Sequence, residues 1–235
     1  MKKSILILSC LLGPAAFAAP ENREFDAKGL NEISVENISG KVTASSTGDA
    51  KVTVGVSKNK FSSECKMTLN QDGGKLVIKV EKSKSFSNEE CDVDFDLKVP
   101  KSVERVQLHV ISGAIHLGSL PVKSLKVEVI SGDVQADVSK ADEVRMKSVS
   151  GNLDADLGKK PQASIEVVSG NITLKARKAL NAKVTAKTVS GDIKIEGKQV
   201  EGDEPVGRHF ARTFGKGEGS IDVKTVSGDL TLDLN

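Results

Sequence analysis

An Asp or Asn follows a Ser-Gly pair five times in this chain, at Asp133, Asn152, Asn171, Asp192 and Asp229. Carboxylates stacked at a regular interval are hard oxygen donors of the kind that hold Ca²⁺. The Gly-Gly-x-Gly-x-Asp calcium repeat is absent, however. Two of the five are amides, and the equivalent positions in the other copies are Lys41 and Ala114. The pattern favours turn residues whose side chains bond nearby backbone, or their own neighbour in a ladder. No metal and no cofactor is expected.

The other groups with chemical potential are sparse. His109, His116 and His209 are the three histidines. The first two fall at outward positions of alternating strands, and no Ser/His/Asp or Cys/His arrangement is suggested by spacing. The expectation is a protein that is not an enzyme. An alternative is a polysaccharide-active or glycan-binding β-helix, whose clustered acids and bases come from separate coils. Sugar-binding platforms built on Trp or Tyr are ruled out, because the chain has neither. The best candidate binding segment is the charged and aromatic run Arg208, His209, Phe210, Arg212 and Phe214, on an insertion at about 198–219. Its bland alternative is a loop that covers the end of the structure.

These residues hang on a repeat. Ser-Gly pairs occur at Ser39-Gly40, Ser112-Gly113, Ser131-Gly132, Ser150-Gly151, Ser169-Gly170, Ser190-Gly191 and Ser227-Gly228. Successive steps from Gly113 are 19, 19, 19, 21 and 37 residues. Before the corner the apolar set alternates as Leu125, Val127, Val129. After it the set is Val134, Ala136, Val138. The pattern keeps register in the other copies, with Ser148, Thr188 and Thr225 at the third position before the corner and only Val42 and Ala44, or Ile193 and Ile195, after it in two of them; period-2 alternation is the mark of a strand with one buried face. A fixed period near 20 predicts a solenoid. The inward parity changes across each corner, so the corner absorbs an odd residue, which glycine tolerates. A β-branched residue precedes every Ser (Ile38, Ile111, Ile130, Val149, Val168, Val189, Val226) and is read as a corner side chain stacked on its equivalents.

In order along the chain, residues 1–18 read as a signal peptide: a basic start, an apolar run from Ile5 to Leu12, and Ala16-Phe17-Ala18 as the cleavage site. A lipoprotein signal at Cys10 has a very short apolar core and is the weaker reading. Removing Lys2 and Lys3 takes 34 basic residues to 32, matching 32 acidic ones. That balance offers no electrostatic case for nucleic acid. Residues 19–105 are read as an N-terminal β cap region that includes the first repeat copy. Within it, 19–30 form a loose lead-in, 51–56 a strand, 66–80 a β-hairpin, 81–90 a polar loop and 93–100 a strand stopped by Pro100. Cys65 and Cys91 are an even pair in an exported chain and read as a disulfide. Residues 106–235 are the regular coils, interrupted by the insertion. The last coil, 221–234, has none after it, so its edge invites self-association unless the insertion covers it. No transmembrane helix is expected after the leader.

The 98–100 Lys-Val-Pro end of a strand, followed by repeated V-S-G-[DN]-[IVL] coils, resembles a bacterial domain family of unknown function labelled "putative adhesin". The run 217–228 looks like that family's last repeat. The resemblance implies an all-β, single-domain parallel β-solenoid and transfers no catalytic or ligand residue. The function expected is an envelope or cell-surface interaction scaffold, periplasmic, surface-bound or secreted, whose partner is a protein or envelope component. A periplasmic sensor or assembly partner is a further alternative.

Overall fold

The computed structural model describes residues 21–83, 89–176, 179–200 and 207–234. Residues 1–18, read as a leader and including Cys10, and half of the 81–90 segment read as a polar loop lie outside them; Glu81 and Lys82 of that segment belong to a strand. Every described element is a strand. In chain order these are β1 (Glu21–Asp26), β2 (Glu32–Ser39), β3 (Val42–Thr47), β4 (Lys51–Phe61), β5 (Cys65–Asp72), β6 (Lys75–Lys82) and β7 (Cys91–Pro100). The coils follow as β8 (Arg105–Ser112) with β9 (Ile115–Leu117), β10 (Ser124–Ser131) with β11 (Val134–Asp137), β12 (Glu143–Ser150) with β13 (Leu153–Leu157), and β14 (Gln162–Ser169) with β15 (Ile172–Ala176). Then come β16 (Ala182–Ser190), β17 (Ile193–Ile195), β18 (Lys198–Gln199), β19 (Arg208–Phe214), β20 (Gly219–Ser227) and β21 (Leu230–Leu234).

Each coil is two strands joined at a Ser-Gly corner, and coils stack through parallel backbone pairing. The pairings resolve into two faces. The first runs β5-β6-β2-β8-β10-β12-β14-β20-β16-β19. The second runs β1-β4-β7-β3-β9-β11-β13-β15-β21-β17-β18. Both are parallel in the middle and close with antiparallel strands at the two ends. Those end strands come from hairpins and reversals, which supply a partner for an edge that would otherwise pair with another chain.

The alternation works as read. Leu125, Val127 and Val129 are buried, as are Val134, Ala136 and Val138, and so are most of their equivalents in other layers, Leu234 being partly buried. The core is one continuous apolar column between the two faces. Phe95 is the largest side chain fully inside it.

Three expectations are corrected. Residues 21–26 are not a loose lead-in. They form β1, antiparallel to β4 along its whole length. The 51–56 strand extends to Phe61, long enough to pair with both β1 and β7. Most consequentially, the last coil is not at the end of the stack. Strand β20 pairs in parallel with β14 on one side and β16 on the other. Strand β21 likewise sits between β15 and β17. The chain skips a layer after β15, builds the outer coil β16/β17, and later returns to fill the gap. The step of 21 rather than 19 residues before Gly191 is the trace of this skip. Two extra residues add up to about 7 Å of reach, enough for one additional layer of about 4.8 Å. Self-association through the terminal coil therefore has no edge to use, because that coil is interior.

Asn181 organises the return. Its Oδ1 accepts the amides of Lys216 and Glu218 at 2.8 and 3.2 Å, while its carbonyl accepts the Gly219 amide at 2.8 Å. At the other end Cys65 and Cys91 are bonded, with Cα atoms 5.7 Å apart. The bridge ties β5, the edge of the first face, to β7 in the second face.

Candidate functional site: the corner row

The corner glycines have φ between +110° and +148°, a region L side chains rarely occupy. A Cβ on Gly151 would also sit inside the carbonyl oxygen of Gly132 in the layer below. Glycine is thus required twice, by backbone angle and by backbone-to-backbone contact between layers.

Next to the glycines runs the Asp/Asn ladder. Asp133 Oδ1 accepts the Asn152 amide at 2.8 Å, Asn152 accepts from Asn171 at 3.1 Å, Asn171 from Asp229 at 3.0 Å, and Asp229 from Asp192 at 2.8 Å. Each side chain satisfies a main-chain N–H one layer on, which is the turn role the sequence suggested. The same ladder reads out the stacking order, with Asp229 between Asn171 and Asp192. Asp192 ends it, and the Arg208 guanidinium closes it at 2.9 Å.

The insertion residues are therefore placed as an end cap. Strand β19 lies antiparallel on β16, with Phe210 opposite Ala186 and Phe214 opposite Ala182. Both rings are partly buried against the core. Arg208 also donates to the carbonyls of Gly191 and Val200, each at 3.2 Å. Arg212 stacks over Phe214 with its guanidinium carbon 5.1 Å from the ring centre. His209 and Arg212 remain exposed. The structure brings these five residues together, but Arg208, Phe210 and Phe214 are engaged with the stack.

The histidines do not converge. His109 is on β8 of the first face, His116 on β9 of the second and His209 on β19. Among the described residues no three His, Cys, Asp or Glu side chains form a group suited to a metal ion.

The surface that stands out is the row before each Ser. Ile111, Ile130, Val149, Val168, Val226 and Val189 lie one per layer in six consecutive layers and point outward, 43–57 % exposed. They are the exposed large hydrophobic side chains among the described residues. The sequence reading places them in a stacked row but does not say that the row faces solvent. The signal is present: Ile130 shares the outward parity of Glu128.

Beside the row is a groove of about 540 Å³, lined by Ile130, Val149, Val168 and Val226 and by Glu128, Lys147, Glu166 and Lys224. Lys147 bridges to Glu166 at 2.8 Å, and Lys126 to Glu128 at 3.0 Å. The hydrogen bond from Lys126 holds the Glu128 carboxyl below its ordinary pKa, with His109 adding to the effect. Lys147 does the same to Glu166. Both carboxylates are charged at neutral pH. The groove thus has one wall of alternating charge and one apolar wall.

The family model described as Toastrack DUF4097 matches residues 91–233. The chain belongs to the Toastrack DUF4097 family. Within this Toastrack chain the matched segment begins at β7 and contains every regular coil, including the interior last one. Solved structures with the same fold include a "putative cell adhesion protein" from Clostridium sporogenes, at 17% identity and TM-score 0.54, covering 92% of this chain and 100% of that one. A "putative adhesin" from Bacteroides fragilis aligns at 12% identity and TM-score 0.50, covering 92% of this chain and 97% of that one. At these identities the likeness is one of fold. No curated protein sequence matches the chain.

Proposed function

We propose that this Toastrack protein is an exported, non-enzymatic scaffold for interactions at the cell envelope or surface, and that the corner row is its contact surface. The observation that carries this reading is the unbroken line of six exposed β-branched side chains on a rigid stack. Exposed contiguous apolar patches on otherwise polar proteins mark interaction sites. The Cys65–Cys91 bond supports an oxidising, extracytoplasmic location. The adhesion names of the two solved relatives agree in kind. Among the described residues no helix is long and apolar enough to cross a membrane.

A second reading, glycan binding or cleavage, is favoured by one feature. A polar groove of about 570 Å³ on the second face gathers Asp137, Asp154, Asp156, Lys175 and His116. Incubating the purified protein with bacterial and host polysaccharides, with and without Ca²⁺, separates the two. The scaffold reading expects intact polymers and no saturable sugar binding. Release of reducing ends, abolished by Asp154→Asn, would replace it with the second reading.

A further inference from the structure

A partner whose surface repeats at the interval between layers, about 4.8 Å, would meet all six side chains of the corner row at once. An irregular protein surface or a helix does not have that repeat, whereas a second copy of this chain does. Resting on the reading of the row as the contact surface, we propose that its occupant is a second copy, packed first face to first face, with its layers running in the opposite direction.

Charge decides the direction. Beside the apolar row, the outward residue two positions earlier in each strand forms its own line across the stack: Glu36, His109, Glu128, Lys147, Glu166, Lys224, Lys187 and His209. The six exposed apolar side chains have their midpoint between Val149 and Val168. A two-fold axis through that midpoint, parallel to the strands, sets all six against all six. It pairs Val149 with Val168 of the other copy, Ile130 with Val226, and Ile111 with Val189. The same operation sets Lys147 against Glu166, Glu128 against Lys224, and Glu36 against His209. His109 falls opposite Lys187 and adds no attraction. One line further in it sets Lys126 against Asp222. Opposed charges thus meet in both lines without any adjustment of register. The unfavourable pair lies at the far end of the strands, where Arg105 would face Lys183; Arg105 is there held by Glu32 at 3.2 Å.

The alternative two-fold, along the stack, puts each apolar residue on its own equivalent and turns the charged lines away from each other. It gains nothing from the charge pattern. The strip that touches in the first arrangement is roughly 34 Å long over eight layers and about 14 Å wide over two strand repeats, on the order of 500 Å² per partner. That is at the small end of specific interfaces, so the dimer is expected in the micromolar range, on the order of 10 μM.

The test is a charge swap read by sedimentation velocity on the full exported chain. Glu128→Lys and Lys224→Glu should each weaken the dimer about tenfold or more, since each is repeated twice by the symmetry. The double variant E128K/K224E should restore it. Within one copy these two residues are three layers apart, roughly 14 Å, beyond direct contact, so restoration arises only between copies. A second measurement is covalent. Ile130→Cys with Val226→Cys should give a disulfide-linked dimer under mild oxidation, while Ile130→Cys alone should not. A protein that stays monomeric at millimolar concentration overturns the proposal, as does a double variant no better than the singles. Crosslinking by Ile130→Cys alone would replace the antiparallel arrangement with the parallel one. If the parent is monomeric yet Val149→Lys with Val168→Lys abolishes binding to envelope fragments, the contact surface stands and only the second copy falls.

Discussion

Replacing Gly151 by Ala tests the corner geometry at one atom. Its φ of +129° is open essentially to glycine alone, and forcing an L residue there costs about 1–3 kcal/mol. The new methyl would also overlap the Gly132 carbonyl oxygen. Relief requires the two layers to part at a point where the Gly132 amide bonds the Ser150 carbonyl at 2.9 Å and the Val134 amide bonds the Asn152 carbonyl at 2.9 Å. Weakening those two bonds adds about 1 kcal/mol each. The total, about 3–5 kcal/mol, is a large share of the ~5–15 kcal/mol by which a domain of this kind is stable. The control is Gly73→Ala. Gly73 has φ of +54° in the β5–β6 turn, and a methyl group added there would meet nothing within 4 Å, so only the backbone term of ~1–2 kcal/mol applies. Urea unfolding followed by circular dichroism gives both values. A cost for Gly151→Ala no larger than that for Gly73→Ala would refute the corner geometry.

Further outcomes are expected. Glu32 accepts a bond from Lys75 at 2.8 Å and from Arg105 at 3.2 Å, and its pKa is lowered chiefly by Lys75. Its contribution is therefore present above the unfolded pKa of about 4.3 and lost as pH falls below that value through the folded pKa. Glu32→Gln should cost about 1 kcal/mol at pH 7 and little at pH 3, by denaturation at both pH values; an equal cost at both would contradict the ion-pair reading. Mass spectrometry of unreduced purified protein should find Cys65 and Cys91 joined, and Cys65→Ala with Cys91→Ala should lose about 3 kcal/mol. Replacing residues 200–216 by a short Gly-Ser turn should expose the edge of β16 and give open-ended oligomers by light scattering. A variant that assembles no further than the parent would show that β19 does not guard that edge.

Much of this fold can be read from the sequence because its code is periodic. Val127 and Glu128 differ in parity, and one is buried while the other is not. The corner glycines, the Asp/Asn ladder and the Cys65–Cys91 pair are legible for similar reasons: each is a local or arithmetical feature. The position of the last coil is not, because a repeat announces which segments are alike and not which are adjacent. The 21-residue step before Gly191 holds the information, but length alone does not say where added residues go. Glu21–Asp26 escapes notice because Glu-Asn-Arg-Glu-Phe-Asp has no alternation. It becomes a strand by pairing with β4, a tertiary effect that overrides local preference. The insertion is readable as a cap through Phe210 and Phe214, though the coil it caps is β16/β17. Arg208 as the end of the ladder needs coordinates, since nothing in sequence links it to Asp192.

Whether binding runs through the corner row and not through the insertion is measured most directly by titration. Labelled protein is titrated onto envelope fragments at concentrations below the dimer range. The parent should bind saturably, and Val149→Lys with Val168→Lys should weaken binding at least tenfold without lowering the melting temperature. His209→Ala with Arg212→Ala should bind like the parent. Retained binding in the corner-row variant, with loss in the insertion variant, would contradict the account.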